Sequence, residues 1–242
     1  NEPTKVCVVE DFGTVGLGGR LKGSVKSGDN FRKLVLFLGI TDKTHEGTAS
    51  GGSYGYGKSV YAACSDSFTV VYYSRFRPTE ETNNRYARLI VASIFNHHEL
   101  NDEEYEGRAF ICHRVQDSAG LNAPVPFEDE EAQALAAQFG FTVRQEGQEG
   151  TSIAILGSKV DAARLKAAVE KFWWPKLVDG ELTCRIHENG QRLPRLAPKK
   201  RDDLLPYIRA YDIVEKKAEP KPADNERLYN PEPVSGVDIG SA

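Results

Sequence analysis

The sequence Glu10-Asp11-Phe12-Gly13-Thr14-Val15-Gly16-Leu17 directly follows a short apolar run, Val6-Cys7-Val8-Val9. A second glycine-rich sequence, Gly51-Gly52-Ser53-Tyr54-Gly55-Tyr56-Gly57-Lys58-Ser59, opens into another apolar segment. Because glycine has no Cβ, backbone N–H groups in such sequences can approach an anion closely. A carboxylate at the end of a buried strand, as we expect for Asp11, can accept a hydrogen bond from the exocyclic amine of a purine. The two sequences together predict a nucleotide pocket.

The composition is that of an ordinary globular protein, with 242 residues, 40% hydrophobic and 27% charged. This length suits one large domain or two small ones. The formal net charge of −4 argues against a surface built entirely for nucleic acid, although a local basic patch is compatible with it. No apolar run approaches the roughly 18 residues that span a bilayer, so we expect no membrane partner.

The cysteines are far apart in the sequence and form no C-x-x-C pair, which favours buried free thiols and a cytoplasmic location. The histidines show no spacing typical of a zinc site. The chain contains no methionine, which suggests a fragment or an incomplete sequence.

Hydrophobic periodicity predicts alternating helices and strands along the chain. The predicted strands are 5–9, 67–75, 88–95, 107–115, 150–156 and 181–186. The predicted helices are 29–38, 57–65, 129–139, 160–172 and 202–211. For the run 34–40, a buried strand is the alternative.

The order of these features resembles the GHKL ATPases, which have the Bergerat fold. That order is strand, Asp-x-Gly, helix, flexible segment, Gly-x-x-Gly-x-Gly, helix, strand and Gly-Thr-x-Ile. The family includes a heat-shock chaperone, DNA mismatch-repair ATPases, type II topoisomerases and histidine kinases. The resemblance covers residues 5–157 and implies an α/β (α+β) two-layer sandwich, with a mixed sheet and helices on one of its faces. It also implies an ATP-binding protein that uses slow hydrolysis for conformational switching or dimer closure.

The resemblance assigns the adenine end of the nucleotide to the first glycine-rich sequence. Asp11 would accept a hydrogen bond from the adenine amino group, and Thr151 would bond the base beside it. Gly13 and Gly16 would let the turn pass close to the base. The spacing Asp-x-Gly-x-x-Gly is one residue longer than the family's usual Asp-x-Gly-x-Gly, and the extra residue lies between Gly13 and Gly16.

The phosphate end is assigned to the second sequence, where backbone N–H groups at the start of the following helix would meet the phosphates with help from the helix dipole. The segment 41–53 would form a lid over the nucleotide. The residues implied at the phosphates are Gly52, Tyr54, Gly55, Tyr56, Gly57, Lys58 and Ser59.

In this family, a helix before the first strand carries the Glu that activates water and the Asn that holds Mg²⁺. This chain begins too late to include that helix, so the catalytic base and the metal ligands are not identified, and Glu10 is interpreted as structural. The expected cofactors are ATP and Mg²⁺.

Two other interpretations stay open. The stretch Gly52–Ser59 also matches G-x-x-x-x-G-K-S, the P-loop pattern, although no predicted strand leads into it and no apolar run ending in Asp follows at the expected place. Alternatively, the glycines form turns and linkers of an interaction domain without a ligand.

The predicted organisation is an ATP-binding domain at 1–157, a transducer-like α+β module at 158–214, and an extended or disordered tail at 215–242. The pairing of this pocket with the module carrying Trp173-Trp174-Pro175 resembles bacterial ATP-binding proteins, some connected with DNA or phage defence. A homodimer is one expected partner. Nucleic acid is another, through the basic cluster Arg192–Arg201, for which a solvated linker is the alternative.

Overall fold

The computed structural model describes residues 4–36, 57, 59–105, 107–116, 122–215 and 217–219. The chain divides into two compact units, the first ending at Lys159 and the second beginning at Val160. The sequence places this boundary two residues earlier. The described fold is α+β, with antiparallel sheets and several helices.

Within its described residues, the first unit contains the principal sheet and two α-helices. Its strands are β1 (Val6–Glu10), β2 (Thr69–Arg75), β3 (Ala87–Ile94), β4 (His98–Leu100), β5 (Glu103–Tyr105), β6 (Arg108–Ile111), β7 (His113–Gln116), β8 (Asn122–Val125), β9 (Phe127–Glu128) and β10 (Gly150–Leu156). Its helices are α1 (Val60–Ala63) and α2 (Asp129–Gln138), with a π-helical turn at Arg32–Leu36 and a 3-10 turn at Glu80–Thr82. Strands β4–β5 and β7–β8 form separate two-stranded ribbons.

The principal sheet has the strand order β1-β10-β2-β3-β6, and β9 pairs with β3 beside β6. Every pairing of this sheet among the described residues is antiparallel, so the expectation of a mixed sheet is wrong for this part of the chain. One reason is that a short connection, Phe76–Tyr86, returns the chain from β2 directly into β3, and parallel neighbours need a longer crossover.

Successive side chains along each strand point to opposite faces of the sheet, and both faces are buried under hydrophobic clusters. Val71, Tyr73 and Leu89 pack against α2 on one face. Val70, Tyr72 and Ile90 face the other way and pack against the π-helical turn and α1. The structure therefore corrects the expectation of two layers with helices on one face, because helical segments cover both.

The second unit is mainly helical among its described residues. It contains α3 (Ala162–Phe172), α4 (Trp174–Val178), α5 (Leu205–Val214), a 3-10 turn at Pro198–Lys200 and a hairpin of β11 (His187–Glu188) and β12 (Gln191–Arg192). The predicted strand 181–186 is irregular, although its apolar residues do alternate in burial. It finds no partner strand within the described part of the chain, and pairing rather than alternation makes a strand.

Most of the predicted tail at 215–242 lies outside the described residues. None of the helices in the described ranges combines the length and apolarity that crossing a membrane requires. The four cysteines, Cys7, Cys64, Cys112 and Cys184, are free thiols and are partly buried, as the sequence predicts.

Candidate functional site

Asp11 and Thr151 meet at one end of the principal sheet, where β1 and β10 lie side by side. In the antiparallel register, Glu10 lies opposite Ser152. The next residue on each strand is then Asp11 on one side and Thr151 on the other, so these two residues also lie opposite each other. The Asp11 N–H donates to the Thr151 carbonyl at 2.9 Å, and the Thr151 N–H donates to Asp11 Oδ1 at 2.5 Å. These contacts bring together two of the predicted site residues, which are far apart in the sequence.

The Asp11 carboxylate keeps one oxygen available. Oδ1 accepts the Thr151 N–H and also the hydroxyl of Thr14 at 3.1 Å. Among the residues that the structure describes, no donor reaches Oδ2, and Asp11 is exposed to solvent. The carboxylate is thus oriented through one oxygen while the other can accept a hydrogen bond from a ligand.

The position before Thr151 requires a glycine for steric reasons. A Cβ built on Gly150 would lie 2.5 Å from the Asp11 carbonyl oxygen and 2.6 Å from Asp11 Oδ1. Any side chain there would push β10 away from the Asp11 turn. The Gly-Thr pair therefore allows the close approach on which the Asp11–Thr151 contact depends.

The two predicted glycines of the first turn differ in their surroundings. Gly16 is buried with φ +67°, and a Cβ there would lie 2.2 Å from the Arg75 carbonyl oxygen. Gly13 has φ +75°, and no atom of the described residues lies within 4 Å of its Cβ position. Gly16 thus fits the turn against β2, whereas Gly13 borders open space beside Asp11.

Ser74 connects the turn to the sheet. Its hydroxyl accepts the Leu17 N–H and donates to the Gly150 carbonyl, both at 2.8 Å. The Ser74 and Thr151 hydroxyl oxygens are 3.4 Å apart. Ser74 was not among the predicted site residues, because a serine inside an apolar strand carries no pattern of its own.

Arg144 is a second residue that the sequence reasoning missed. It is fully buried, and its guanidinium donates to the Thr151 carbonyl at 2.9 Å and to the Ser152 hydroxyl at 3.0 Å. The Phe12 ring lies 4.4 Å from the guanidinium carbon, in cation–π geometry. Burial lowers the pKa of Arg144, and the carboxylates of Glu10 and Asp11 oppose this shift.

Glu10 is held by protein groups. Its carboxylate accepts the N–H and hydroxyl of Thr142, at 3.1 and 2.9 Å, and the Ser152 hydroxyl at 2.8 Å. These contacts fit the structural role expected for Glu10, because they occupy both carboxylate oxygens.

Of the residues predicted at the phosphates, Gly52, Tyr54, Gly55, Tyr56 and Lys58 lie outside the described residues. Gly57 is exposed, and Ser59 precedes α1 as its N-cap residue. Helix α1 has only four residues, so its dipole is small and would help little in holding the phosphates, in contrast to the expectation from the sequence. Burial raises the pKa of the Tyr61 hydroxyl, and the Asp11 carboxylate raises it further.

A cavity of about 440 Å³ lies elsewhere, at the Thr69 end of β2, and is lined by Phe68, Ile94, Phe95, Asn96, His97 and His98. Asp11 and Thr151 lie at the Arg75 end, so this cavity contains none of the predicted site residues. Within the described ranges, no group of three or more His, Cys, Asp or Glu side chains could hold a metal ion.

Comparison with known proteins gives no relative: no family model, curated protein or solved structure matches this chain.

Proposed function

We propose that this chain binds ATP, with the adenine at Asp11 and Thr151. In this proposal it is the nucleotide-binding module of a GHKL-type ATPase, which couples ATP binding and slow hydrolysis to conformational switching or dimer closure. The observation that carries the proposal is the oriented Asp11 carboxylate, whose Oδ1 is bonded to Thr151 and Thr14 while Oδ2 stays available.

The chemistry of adenine supports this use of Oδ2. The exocyclic amine of adenine is a donor, and a carboxylate oxygen is an acceptor that forms strong, charge-assisted hydrogen bonds. Guanine presents a carbonyl oxygen at the corresponding position, which a carboxylate would repel. A site built on Asp11 should therefore prefer adenine to guanine nucleotides.

The proposal assigns no hydrolytic step to the described residues. Glu10 is engaged by Thr142 and Ser152, which leaves it poorly suited to activate water. Mg²⁺ commonly reaches nucleotide sites through phosphate oxygens and water, with one or two carboxylates. The described residues offer no ligand cluster for it, so no protein ligand is assigned.

The test is the melting temperature of the full chain with and without Mg-ADP, for the wild type and Asp11→Asn. A ligand present at 100 times its Kd stabilises a one-site binder by about 2.7 kcal/mol. For a domain of this size, that corresponds to a rise in Tm of roughly 5–10 °C. Asp11→Asn should lose most of this shift, because the amide can keep the Thr151 contact through its oxygen but presents a donor to the adenine amine.

Asp102→Asn is the matched control, because Asp102 lies in an exposed turn of the same unit with φ +61° and the substitution makes the same chemical change. Mg-GDP provides a second control. In Asp11→Asn, the Tm shift that Mg-GDP causes should increase relative to the shift that Mg-ADP causes. No shift for wild-type protein would instead indicate an interaction domain. Loss of binding in Lys58→Ala, with Asp11→Asn intact, would indicate the P-loop alternative.

A further inference from the structure

The second unit carries a short β-hairpin with an exposed polar tip. Strands β11 and β12 pair through His187–Arg192 and Glu188–Gln191, and the turn residues Asn189 and Gly190 have φ of +50° and +77°. Two positive φ values are the geometry of the type I′ turn, for which Asn-Gly is a preferred sequence. The Leu193 N–H donates to the Ile186 carbonyl at 2.9 Å and extends the ladder.

The hairpin and the segment that follows it are strongly basic. Between Cys184 and Arg201 there are six lysines and arginines and a single carboxylate, Glu188. This contrasts with the net charge of −4 for the whole chain. Because side chains alternate across a hairpin, Glu188 lies on the face opposite to His187 and Arg192. The one acidic group therefore points away from the face that carries Arg192.

Most of these cations have no carboxylate partner in the part of the chain that the structure describes. Arg201 is an exception, because it pairs with Asp203 and Glu170. Across the described ranges, no carboxylate forms an ion pair with the five other cations, which are all exposed: Arg185, Arg192, Arg195, Lys199 and Lys200. Arg185, Arg192 and Arg195 line the same small concavity, so these three residues are neighbours in the fold.

The surroundings of these cations are polar. Ile186, Leu193 and Leu196 are half-buried, and no large hydrophobic side chain among the described residues from Glu181 to Leu204 is exposed. A surface that inserts into lipid needs exposed apolar or aromatic residues beside its cations. The polar amides of Asn189 and Gln191 are instead exposed at the tip.

From these observations we infer that this hairpin and the basic segment after it bind the phosphate backbone of duplex DNA. A two-stranded β-ribbon fits the major groove of B-form DNA. Arginine and lysine side chains contact the phosphates and release condensed counterions, which supplies the affinity. Asn189, in the turn at the tip, carries a side-chain amide of the kind that bonds base edges in the groove. The site is independent of the proposed nucleotide pocket.

The experiment is a fluorescence anisotropy titration of a short labelled DNA duplex with the full chain, over a series of NaCl concentrations. The test variant is Arg185→Gln/Arg192→Gln/Arg195→Gln. Each phosphate contact contributes about 0.9 to the slope of log K against log salt. The variant should therefore lower that slope by about 2–3 and weaken binding at least ten-fold at low salt. Circular dichroism and the Tm of the variant check that the chain is folded.

The matched control is Arg77→Gln/Arg108→Gln/Arg114→Gln, which removes the same charge from exposed positions of the first unit. It should keep the wild-type salt slope. A wild-type chain that does not bind duplex DNA at low salt overturns the inference, as does an equal loss in the two triple variants. Tighter binding to single-stranded DNA or to vesicles containing phosphatidylserine overturns the assignment to duplex DNA. Asp11→Asn should leave the titration unchanged, so the two proposals can fail separately.

Discussion

Gly16 and Gly13 show how two glycines of one turn serve different purposes. The missing Cβ of Gly16 allows the turn to rest against the Arg75 carbonyl, and Gly13 needs only its left-handed backbone conformation. A motif that contains both residues therefore combines a packing requirement with a requirement for space beside Asp11.

We expect Gly16→Ala to destabilise the chain far more than Gly13→Ala. Alanine at Gly13 adds only the strain of a positive φ, about 1–2 kcal/mol. Alanine at Gly16 adds the same strain and a collision with the backbone of β2, for a loss of about 3–5 kcal/mol. Urea denaturation followed by circular dichroism measures both free energies of unfolding. Similar losses for the two variants would mean that the turn is not packed against β2.

The sequence predicts the Asp11–Thr151 pair better than it predicts the residues that support it. Strand 150–156 is confirmed, since a glycine followed by an alternating apolar run carries a local signal. Arg144 was missed because it lies in an irregular segment where a single arginine forms no pattern. Its partners, the Thr151 carbonyl and the Ser152 hydroxyl, are set by tertiary packing.

The loop at 18–28, which precedes the π-helical turn, is fixed by Asp29. The sequence predicts that Asp29 begins a helix over 29–38. Its carboxylate instead accepts hydrogen bonds from the Arg20 N–H and the Lys26 N–H, both at 2.8 Å, and from the Arg20 guanidinium at 2.9 Å. The aspartate thus holds the loop closed, and spacing alone could not reveal a partner nine residues earlier in the chain.

This loop should make the stability of the chain depend on pH in the acid range. Burial by itself raises the pKa of Asp29, but the hydrogen bonds from Arg20 and Lys26 outweigh it and lower the pKa to about 2. Because the folded pKa lies below the unfolded value of about 3.9, the ionised carboxylate contributes stability above about pH 4. That contribution, of about 2 kcal/mol, should disappear as the pH falls toward 2.

The measurement is the free energy of unfolding of wild type and Asp29→Asn from pH 6 to about pH 2. We expect the difference between them to shrink across this window. Arg20→Gln removes the guanidinium donor and should reduce the pH dependence of the wild type. A difference that stays constant down to the lowest pH would contradict the role given to the Asp29 carboxylate.

The free cysteines are distributed over both units, so their reactivity measures folding in each. Three lie in the first unit, Cys7, Cys64 and Cys112, and Cys184 lies in the second. Burial raises the pKa of Cys7, Cys112 and Cys184, and in Cys7 the neighbouring Cys64 adds to that effect. A raised pKa leaves less of the reactive thiolate near neutral pH.

We therefore expect thiol reagents to label the native chain slowly at neutral pH. All four cysteines should react quickly once the chain is unfolded in guanidinium, and prior treatment with a reductant should not change that number. Mass spectrometry after timed labelling gives both the rate and the count. Fewer than four reactive thiols without reductant would indicate a disulfide. Rapid labelling of the native chain would contradict the partial burial of the four thiols.

The central position of β10 governs when the first unit can be completed during synthesis. This strand lies between β1 and β2, yet the Ser152 hydroxyl bonds a carboxylate 142 residues earlier in the chain. Until the ribosome has released β10, β1 has no partner strand in the principal sheet and β2 pairs only with β3, so the edges of β1 and β2 that β10 joins remain uncovered in the nascent polypeptide. Such late closure is slow and exposes the chain to aggregation, so chaperones and low expression temperature should raise the soluble yield.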